Sequence, residues 1–318
     1  MKNSLLVTTI LFIIASLQAH AVEFKFADAE KAKEILLSQD QYFNSLSPAE
    51  IAIRTGSVTA DKTAADLKAQ YEANITDWAA EDIAQFEAII EANWASIERI
   101  AHLLPDTIYF IRGNNKLEGG LPHTQGNAII IQDNTPALSA DLFFHETFHV
   151  LTRYNADKHE ALYGLLGFKA CIFDEPESLA ATHLTNPDEP PVFDYYVNLP
   201  AEGGEISIMP YLYAAYPAFN PEVEGGFPGH FGFGLLQLEV SGGRCAPLFK
   251  DDGSPILLNP GETPAFFDAI GRNTGYIIHV EETLADNFVF LLIGWPGEGD
   301  MPNPEIPEAL GAWIDAQK

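Results

Sequence analysis

Basic residues are scarce in this chain. Only 17 of its 318 residues are Lys or Arg, against 45 Asp and Glu, so the formal net charge is −28. A surface this acidic repels phosphate backbones and anionic lipid headgroups. We therefore expect neither nucleic acid nor a membrane surface among the partners of the mature protein.

Long apolar segments are also missing, except at the N-terminus. The chain begins with Met1-Lys2-Asn3, continues with an apolar run from Leu5 to Leu17, and reaches Ala19-His20-Ala21. This run is shorter than the roughly 20 residues that a membrane span needs, which disfavours a membrane anchor. The pattern is typical of a secretory signal peptide, residues 1–21, cleaved after Ala21. We expect an exported protein, secreted or periplasmic.

Cysteine is nearly absent, since Cys171 and Cys245 are the only two in the sequence. In an oxidising compartment an isolated pair is more often bridged than free. Closing so long a loop would stabilise the fold by roughly 4 kcal/mol. We predict a disulfide between them, with two buried thiols as the alternative.

One pentapeptide carries most of the chemical information, His145-Glu146-Thr147-Phe148-His149. Two histidines four residues apart on a helix project from one face, so both imidazoles can bind one metal ion. The glutamate beside the first histidine can act as the general base on a metal-bound water. The competing interpretation is a solvated helix with two ordinary histidines.

The chain divides into two predicted regions after the signal peptide. Residues 22–104 are predicted to form an N-terminal helical region, in which Ser47-Pro48-Ala49-Glu50 has the spacing of a capping box. Residues 105–318 are predicted to form the catalytic region. It includes a long insertion at about 171–274, which is rich in proline, glycine and aromatic residues. The insertion holds four short strand candidates, Val192–Leu199, Glu205–Tyr213, Gly232–Val240 and Pro255–Leu258.

Two strand candidates precede the pentapeptide. They run from Asp106 to Arg112 and from Gly126 to Gln132, and a helix is predicted from about Ala137 to Tyr154. A strand directly before a metal-binding helix can present its backbone groups to an extended peptide.

A catalytic zinc ion usually takes three protein ligands and leaves one position for water. The metzincin pattern is excluded, because Thr152 and Asn155 stand where that pattern needs glycine and histidine. The other candidates for the third ligand are downstream histidines and glutamates: His159, Glu160, Glu175, Glu177, His183, His230, His279, Glu281 and Glu282.

The segment from Tyr276 to Phe288 is the strongest of these candidates. A β-like run leads into a helix start, and Glu282 and Asp286 are four residues apart on one helical face. Glu282 can complete the metal site, and Asp286 can accept the outer N–H of a ligand histidine. The alternative is a surface acidic cluster, which the dipole of a helix N-terminus would favour by itself.

With HETFH followed far downstream by Glu282-x-x-x-Asp286, the chain resembles the gluzincins, the thermolysin-like zinc metallopeptidases. The resemblance covers roughly residues 125–155 and 275–292. It implies an α+β fold with a thermolysin-like core. That core has a small sheet with an edge strand, the HETFH helix and a second, glutamate-bearing helix.

The resemblance also implies roles for particular residues. One zinc ion would be bound by His145, His149 and Glu282. Glu146 would activate water, and Asp286 would support a ligand histidine. These roles extend the interpretation of the pentapeptide to a complete metal centre.

Two further features belong to the same resemblance. The doubled acid Glu281-Glu282 occurs in some gluzincins, where the second glutamate is the ligand, so Glu281 is expected beside the metal ligands. The pair Asn127-Ala128 resembles the substrate-binding edge strand of those enzymes.

Hydrolysis of a carbonyl compound also needs a donor to the tetrahedral oxyanion, usually Tyr, His or Arg. The candidates are Tyr276, His279, Arg272 and His230. Tyr276 ranks first because it accompanies the third-ligand segment, and its alternative role is that of a core aromatic.

These observations predict an exported zinc-dependent hydrolase, specifically a peptidase acting on a peptide or protein substrate. Two alternatives stay open: a non-catalytic secreted zinc-binding or structural module, and a metal-dependent hydrolase of a non-peptide amide or ester. Glu146 argues against the binding module, because metal binding alone does not require it.

Overall fold

The computed structural model describes residues 22–135, 138–188 and 195–318. The predicted signal peptide, residues 1–21, lies outside the described residues. Helices and strands are mixed in the described ranges, which confirms the α+β class. No helix within these ranges has both the length and the apolar character that crossing a membrane requires.

Residues on both sides of position 104 build one five-stranded sheet. Its strand order is β1-β3-β5-β4, with β2 paired to the end of β3. β1, β3 and β5 are parallel, whereas β4 is antiparallel to β5. Residues 22–104 therefore share a sheet with the region that follows. The strands are β1 (Glu23–Phe26), β2 (Ile75–Thr76), β3 (Thr107–Gly113), β4 (His123–Gln125) and β5 (Ala128–Gln132).

Both faces of this sheet are covered. Because strand side chains alternate between faces, Phe110 joins one apolar cluster and Ile111 joins another. Phe43 and Tyr71 from the N-terminal helices pack on the Ile111 side, and Phe86 packs on the Phe110 side. These helices are α1 (Ala29–Leu37), α2 (Asp40–Ser45), α3 (Pro48–Thr55), α4 (Ala64–Asn74), α5 (Ala80–Ala92) and α6 (Trp94–Ile100).

Helix α3 begins with the predicted capping box. The Glu50 N–H donates to the Ser47 hydroxyl at 3.1 Å, and the Ser47 N–H donates to the Glu50 carboxylate at 3.3 Å. The box is therefore confirmed. Glu50 is fully buried, and Thr185 from the middle of the chain donates to its carboxylate.

The remaining helices carry the pentapeptide and the C-terminal region. Phe148 of α7 packs against Phe288 of α11, with ring centroids 5.2 Å apart. Leu310 and Ile314 of α12 are buried in the same core. These helices are α7 (Ala140–Tyr154), α8 (His159–Tyr163), α9 (Glu177–Ala180), α10 (Pro264–Ile270), α11 (Val280–Ile293) and α12 (Glu305–Asp315).

The predicted insertion builds a second, seven-stranded sheet of order β6-β8-β9-β10-β11-β7, with β12 paired to β10. Its two longest strands match the predicted runs Glu205–Tyr213 and Gly232–Val240. The predicted run Val192–Leu199 lies partly outside the described residues. The strands are β6 (Lys169–Ala170), β7 (Ile172–Phe173), β8 (Tyr195–Ala201), β9 (Gly204–Ala214), β10 (Phe231–Ser241), β11 (Arg244–Pro247) and β12 (Leu257–Leu258).

The predicted edge strand is wrong. β5 pairs with β3 on one side and with β4 on the other, so Ala128 is an interior residue and fully buried. Gly126, at φ 60°, and Asn127 form the two-residue turn that folds β4 back onto β5. The Asn127 side chain donates to the Thr107 carbonyl at 2.8 Å, away from the pentapeptide. The edge is therefore β4, which the sequence did not reveal because three residues show no alternation.

The predicted disulfide between Cys171 and Cys245 is confirmed, with the Cα atoms 5.8 Å apart. It joins Cys245 of β11 to the residue that precedes β7, the parallel neighbour of β11 at the margin of the second sheet. Both cysteines are buried.

Replacing both cysteines with serine should lower the free energy of unfolding. The bridge joins residues 74 apart, and a loop of that length corresponds to about 4 kcal/mol of lost chain entropy in the unfolded state. Urea unfolding of the double variant Cys171→Ser/Cys245→Ser against the wild type measures the difference. An unchanged unfolding midpoint would contradict the stabilising role of the bridge.

Candidate metal centre

The two histidines of the pentapeptide lie on the inner face of α7. Ser139 caps the start of the helix, because its hydroxyl accepts the Leu142 N–H at 3.2 Å. The phenylalanines of α7 pack into the apolar core, and His145 and His149 face α11. His149 is fully buried, and the His145 side chain is 16% exposed.

Glu282 of α11 meets both imidazoles. Its Oε2 atom lies 3.0 Å from the Nε2 atom of His145 and 3.5 Å from the Nε2 atom of His149. A tetrahedral zinc ion, with bonds of about 2.1 Å, would hold its ligand atoms about 3.4 Å apart. His145, His149 and Glu282 therefore form a group that can hold a metal ion.

Each histidine is oriented by its own carboxylate. The Nδ1 atom of His145 lies 3.0 Å from Asp286, as expected from the spacing of the second motif. The Nδ1 atom of His149 lies 3.0 Å from Glu281. A carboxylate that accepts the Nδ1–H leaves Nε2 as a metal-binding atom. The Nε2 atom of His149 is buried and has no hydrogen-bond partner, which fits a position prepared for a metal.

The two supporting carboxylates are themselves held in place. Glu281 accepts hydrogen bonds from the hydroxyls of Thr152 and Tyr163. Asp286 accepts a hydrogen bond from the Thr274 hydroxyl. The orientation of both imidazoles is thus fixed by contacts outside the metal group.

The centre attracts positive charge. Burial opposes protonation of His145, but hydrogen bonds to Asp286 and Glu282 outweigh it and raise the pKa of this imidazole to about 10. Burial likewise opposes ionisation of Glu282, but the charges and hydrogen bonds of the two histidines hold its pKa well below the ordinary value. The same negative charge that raises the pKa of the imidazole would attract a metal cation.

Glu146 lies beside the group in an environment suited to a base. It is 3% exposed, and its Oε2 atom accepts the Thr124 hydroxyl of edge strand β4 at 2.8 Å. Burial raises the pKa of the Glu146 carboxyl above its ordinary value. A carboxylate with a raised pKa accepts a proton more readily near neutral pH.

Tyr276 is the oxyanion candidate that lies at the centre. Its ring stacks on His145, with centroids 5.8 Å apart and an interplanar angle of 17°. The negative charge of Glu282, together with burial, raises the pKa of the Tyr276 hydroxyl. The hydroxyl therefore stays protonated and able to donate.

The other oxyanion candidates are engaged elsewhere. Arg272 pairs with Asp268 at 2.8 Å on the surface. His230 accepts the Asn220 N–H at 2.8 Å inside a loop of the second sheet. His279 caps α11 by accepting the Glu281 N–H at 3.1 Å.

Most rejected candidates for the third ligand also have other roles. The Nε2 atom of His159 lies 2.8 Å from the Thr152 carbonyl oxygen, and His183 pairs with Glu175 at 3.1 Å. In the described part of the chain, neither residue belongs to a group that could hold a metal, and neither do Glu160 and Glu177.

Three residues that sequence reasoning missed complete the centre. Asp188 accepts the Thr124 N–H of β4, and it forms with Glu146 and His149 a second group whose ligand atoms lie within 4.8 Å of one another. Asn186 donates to Glu282, and Arg153 donates to the Pro187 carbonyl. Of these three residues, only Arg153 could have been found from the sequence, because it lies four residues after His149 and so continues the i, i+4 spacing of the two histidines.

No protein-family model, curated protein or solved structure matches this chain. The chemistry of the centre therefore has to be inferred from its own geometry.

Replacing His149 with alanine should weaken zinc binding by more than the roughly 10- to 100-fold that loss of an outer hydrogen-bond partner costs. The matched control is His183→Ala, because His183 also pairs with a carboxylate but lies outside the metal group. Competition with a chromophoric chelator measures both dissociation constants. Equal losses in the two variants would contradict the assignment of the site.

Zinc affinity should rise with pH. Although burial opposes it, the carboxylates of Glu282 and Glu281 also raise the pKa of His149. Because both imidazoles have raised pKa values, a metal must displace protons from them, and each proton released contributes about tenfold in apparent affinity per pH unit below the pKa. The same competition assay at several pH values between about 6 and about 8 measures the slope. A pH-independent affinity would show that the imidazoles are not the ligands.

Proposed function

We propose that this chain is a zinc-dependent hydrolase of the gluzincin type, most specifically a peptidase. The observation that carries the proposal is the convergence of both histidine Nε2 atoms on one oxygen of Glu282, with Glu146 buried beside them. A donor set of two imidazoles and one carboxylate is typical of catalytic zinc and leaves one position open. When bound, zinc would lower the pKa of a water molecule and polarise the substrate carbonyl.

The residues of the chain divide the remaining work. Glu146 takes the proton of the attacking water and passes it to the leaving group, and the Thr124 hydroxyl holds its carboxylate in place. The Tyr276 hydroxyl donates to the oxyanion as negative charge develops there. Asp286 and Glu281 keep the imidazoles in the tautomer that the reaction needs.

The proposed core contains the three elements expected of a thermolysin-like core. β4 is the antiparallel edge strand, α7 carries the pentapeptide, and α11 carries the third ligand. The proposed location is outside the cytoplasm, secreted or periplasmic, because disulfides persist in oxidising compartments.

A second candidate function is hydrolysis of a non-peptide amide or ester by the same residues. It is favoured by the carboxylate of Asp188, which accepts the Thr124 N–H of the edge strand. An extended peptide pairing with β4 would need backbone groups of this kind. A small amide or ester would not need free backbone groups on β4.

Replacing Glu146 with glutamine should preserve metal content and lower the rate of hydrolysis by about 10²- to 10⁴-fold, because the amide cannot accept the proton. Zinc content by elemental analysis and cleavage of a peptide library and a panel of small amide and ester substrates are measured together. The control is Glu160→Gln on α8, an exposed glutamate outside the centre, which should retain full activity.

Two results would decide against catalysis. Metal-loaded wild type that cleaves no member of either substrate set would favour a binding module. Full activity in Glu146→Gln would mean that another residue is the base.

A further inference from the structure

Residues 184–188 of the middle region, here called the cleft segment, pass beside the metal centre. Thr185, Asn186 and Asp188 of this segment are all buried. One side chain of the segment contacts a metal-binding residue directly, because the Nδ2 group of Asn186 donates to the Oε1 atom of Glu282. That contact joins the middle region to the centre.

The contact bears on how Glu282 can coordinate. A carboxylate can bind a metal through one oxygen or through two, and the second mode uses the position that water or substrate requires. The histidine Nε2 atoms converge on Oε2 of Glu282. The other oxygen, Oε1, is engaged by the amide of Asn186, so Glu282 is presented to a metal through one oxygen only.

Asn186 is itself fixed in this orientation. Its Oδ1 atom accepts the Asp188 N–H at 3.2 Å, which directs the NH₂ group towards Glu282. On the other side, Arg153 of α7 donates to the Pro187 carbonyl. A rotation that exchanged the amide oxygen and nitrogen of Asn186 would therefore break both of its hydrogen bonds.

The backbone before Asn186 is held by the N-terminal region. The Thr185 N–H donates to Oε1 of Glu50 at 2.7 Å, and the Thr185 carbonyl accepts a hydrogen bond from Nη2 of Arg54 at 2.6 Å. Glu50 and Arg54 are buried and paired with each other at 2.7 Å. The side chains of Glu50 and Arg54 thus form hydrogen bonds with both the N–H and the carbonyl of Thr185, as the backbone of a neighbouring strand would.

We propose that Asn186 is a positioning residue of the metal centre. It holds Glu282 as a one-oxygen ligand, and the buried pair Glu50–Arg54 fixes the backbone from which it acts. The inference rests on metal binding at the proposed active centre, but it does not depend on which reaction follows.

The test removes the amide donor in two ways. Asn186→Ala deletes the side chain, and Asn186→Leu removes the donor while keeping most of the volume, so that it replaces the alanine variant if that one fails to fold. The control is Asn198→Ala in β8. The amide oxygen of Asn198 accepts the Ser207 hydroxyl at 2.8 Å, and Asn198 contacts none of the residues in the two metal groups through a described hydrogen bond. Zinc dissociation constants and the visible absorption of the cobalt(II)-loaded proteins are measured.

We expect the Asn186 variants to bind zinc about 10- to 100-fold more weakly than the wild type. We also expect weaker cobalt absorption, because a second Glu282 oxygen raises the coordination number above four. A purely structural role would lower the thermal stability of the metal-free protein without changing the cobalt spectrum.

The outcomes separate this inference from the proposed function. Unchanged zinc affinity and an unchanged cobalt spectrum in the Asn186 variants would overturn the inference alone. Wild type that binds no metal would overturn both. Wild type that binds metal but hydrolyses nothing would refute the hydrolase, while the cobalt spectra would still decide the role of Asn186.

Discussion

The pairing of His145 and His149, the candidate metal ligands, with carboxylates of α11 is the interaction on which the rest of the structure depends. Asp286 and Glu281 reach His145 and His149 from a helix more than 130 residues away in sequence. An unpaired charge in such surroundings would cost several kcal/mol. The packing of Phe148 of α7 against Phe288 of α11 keeps the carboxylates within reach of the imidazoles.

A second buried group of charges joins the N-terminal region to the same framework. Arg54 contacts both Glu50 and Glu118, and Glu118 also accepts the hydroxyls of Tyr42 and Tyr71. Glu118 holds a backbone φ of 47°, which is uncommon for a side-chain-bearing residue. Polar contacts of this kind specify one arrangement of neighbouring segments, which apolar packing alone does less strictly.

The sequence predicted the features that neighbouring residues encode. The spacing of His145 and His149 on α7, the pair Glu282 and Asp286 on α11, and the capping box at Ser47 each depend on residues within one or two helical turns. The cysteine pair was predictable because it had no competing partner.

The features that the sequence did not predict depend on distant contacts. β4 is a strand only because β5 pairs with it, and its three residues show no pattern by themselves. Asn186 and Asp188 lie in an irregular, proline-containing stretch whose partners Glu282 and Thr124 are 96 and 64 residues away. β1 was not predicted either, because its partner β3 begins some 80 residues later.

The distance between the two halves of the metal centre also sets the order of events as the molecule forms. His145 and Glu282 are separated by 137 residues that include the whole second sheet. The chain must therefore leave the ribosome beyond residue 282 before the three candidate ligands can meet. Because a preformed site rarely exists in an unfolded chain, a metal ion would bind to the candidate centre late in folding. If the chain is exported unfolded, as its N-terminal sequence predicts, a metal ion would bind to it at the destination and not in the cytoplasm.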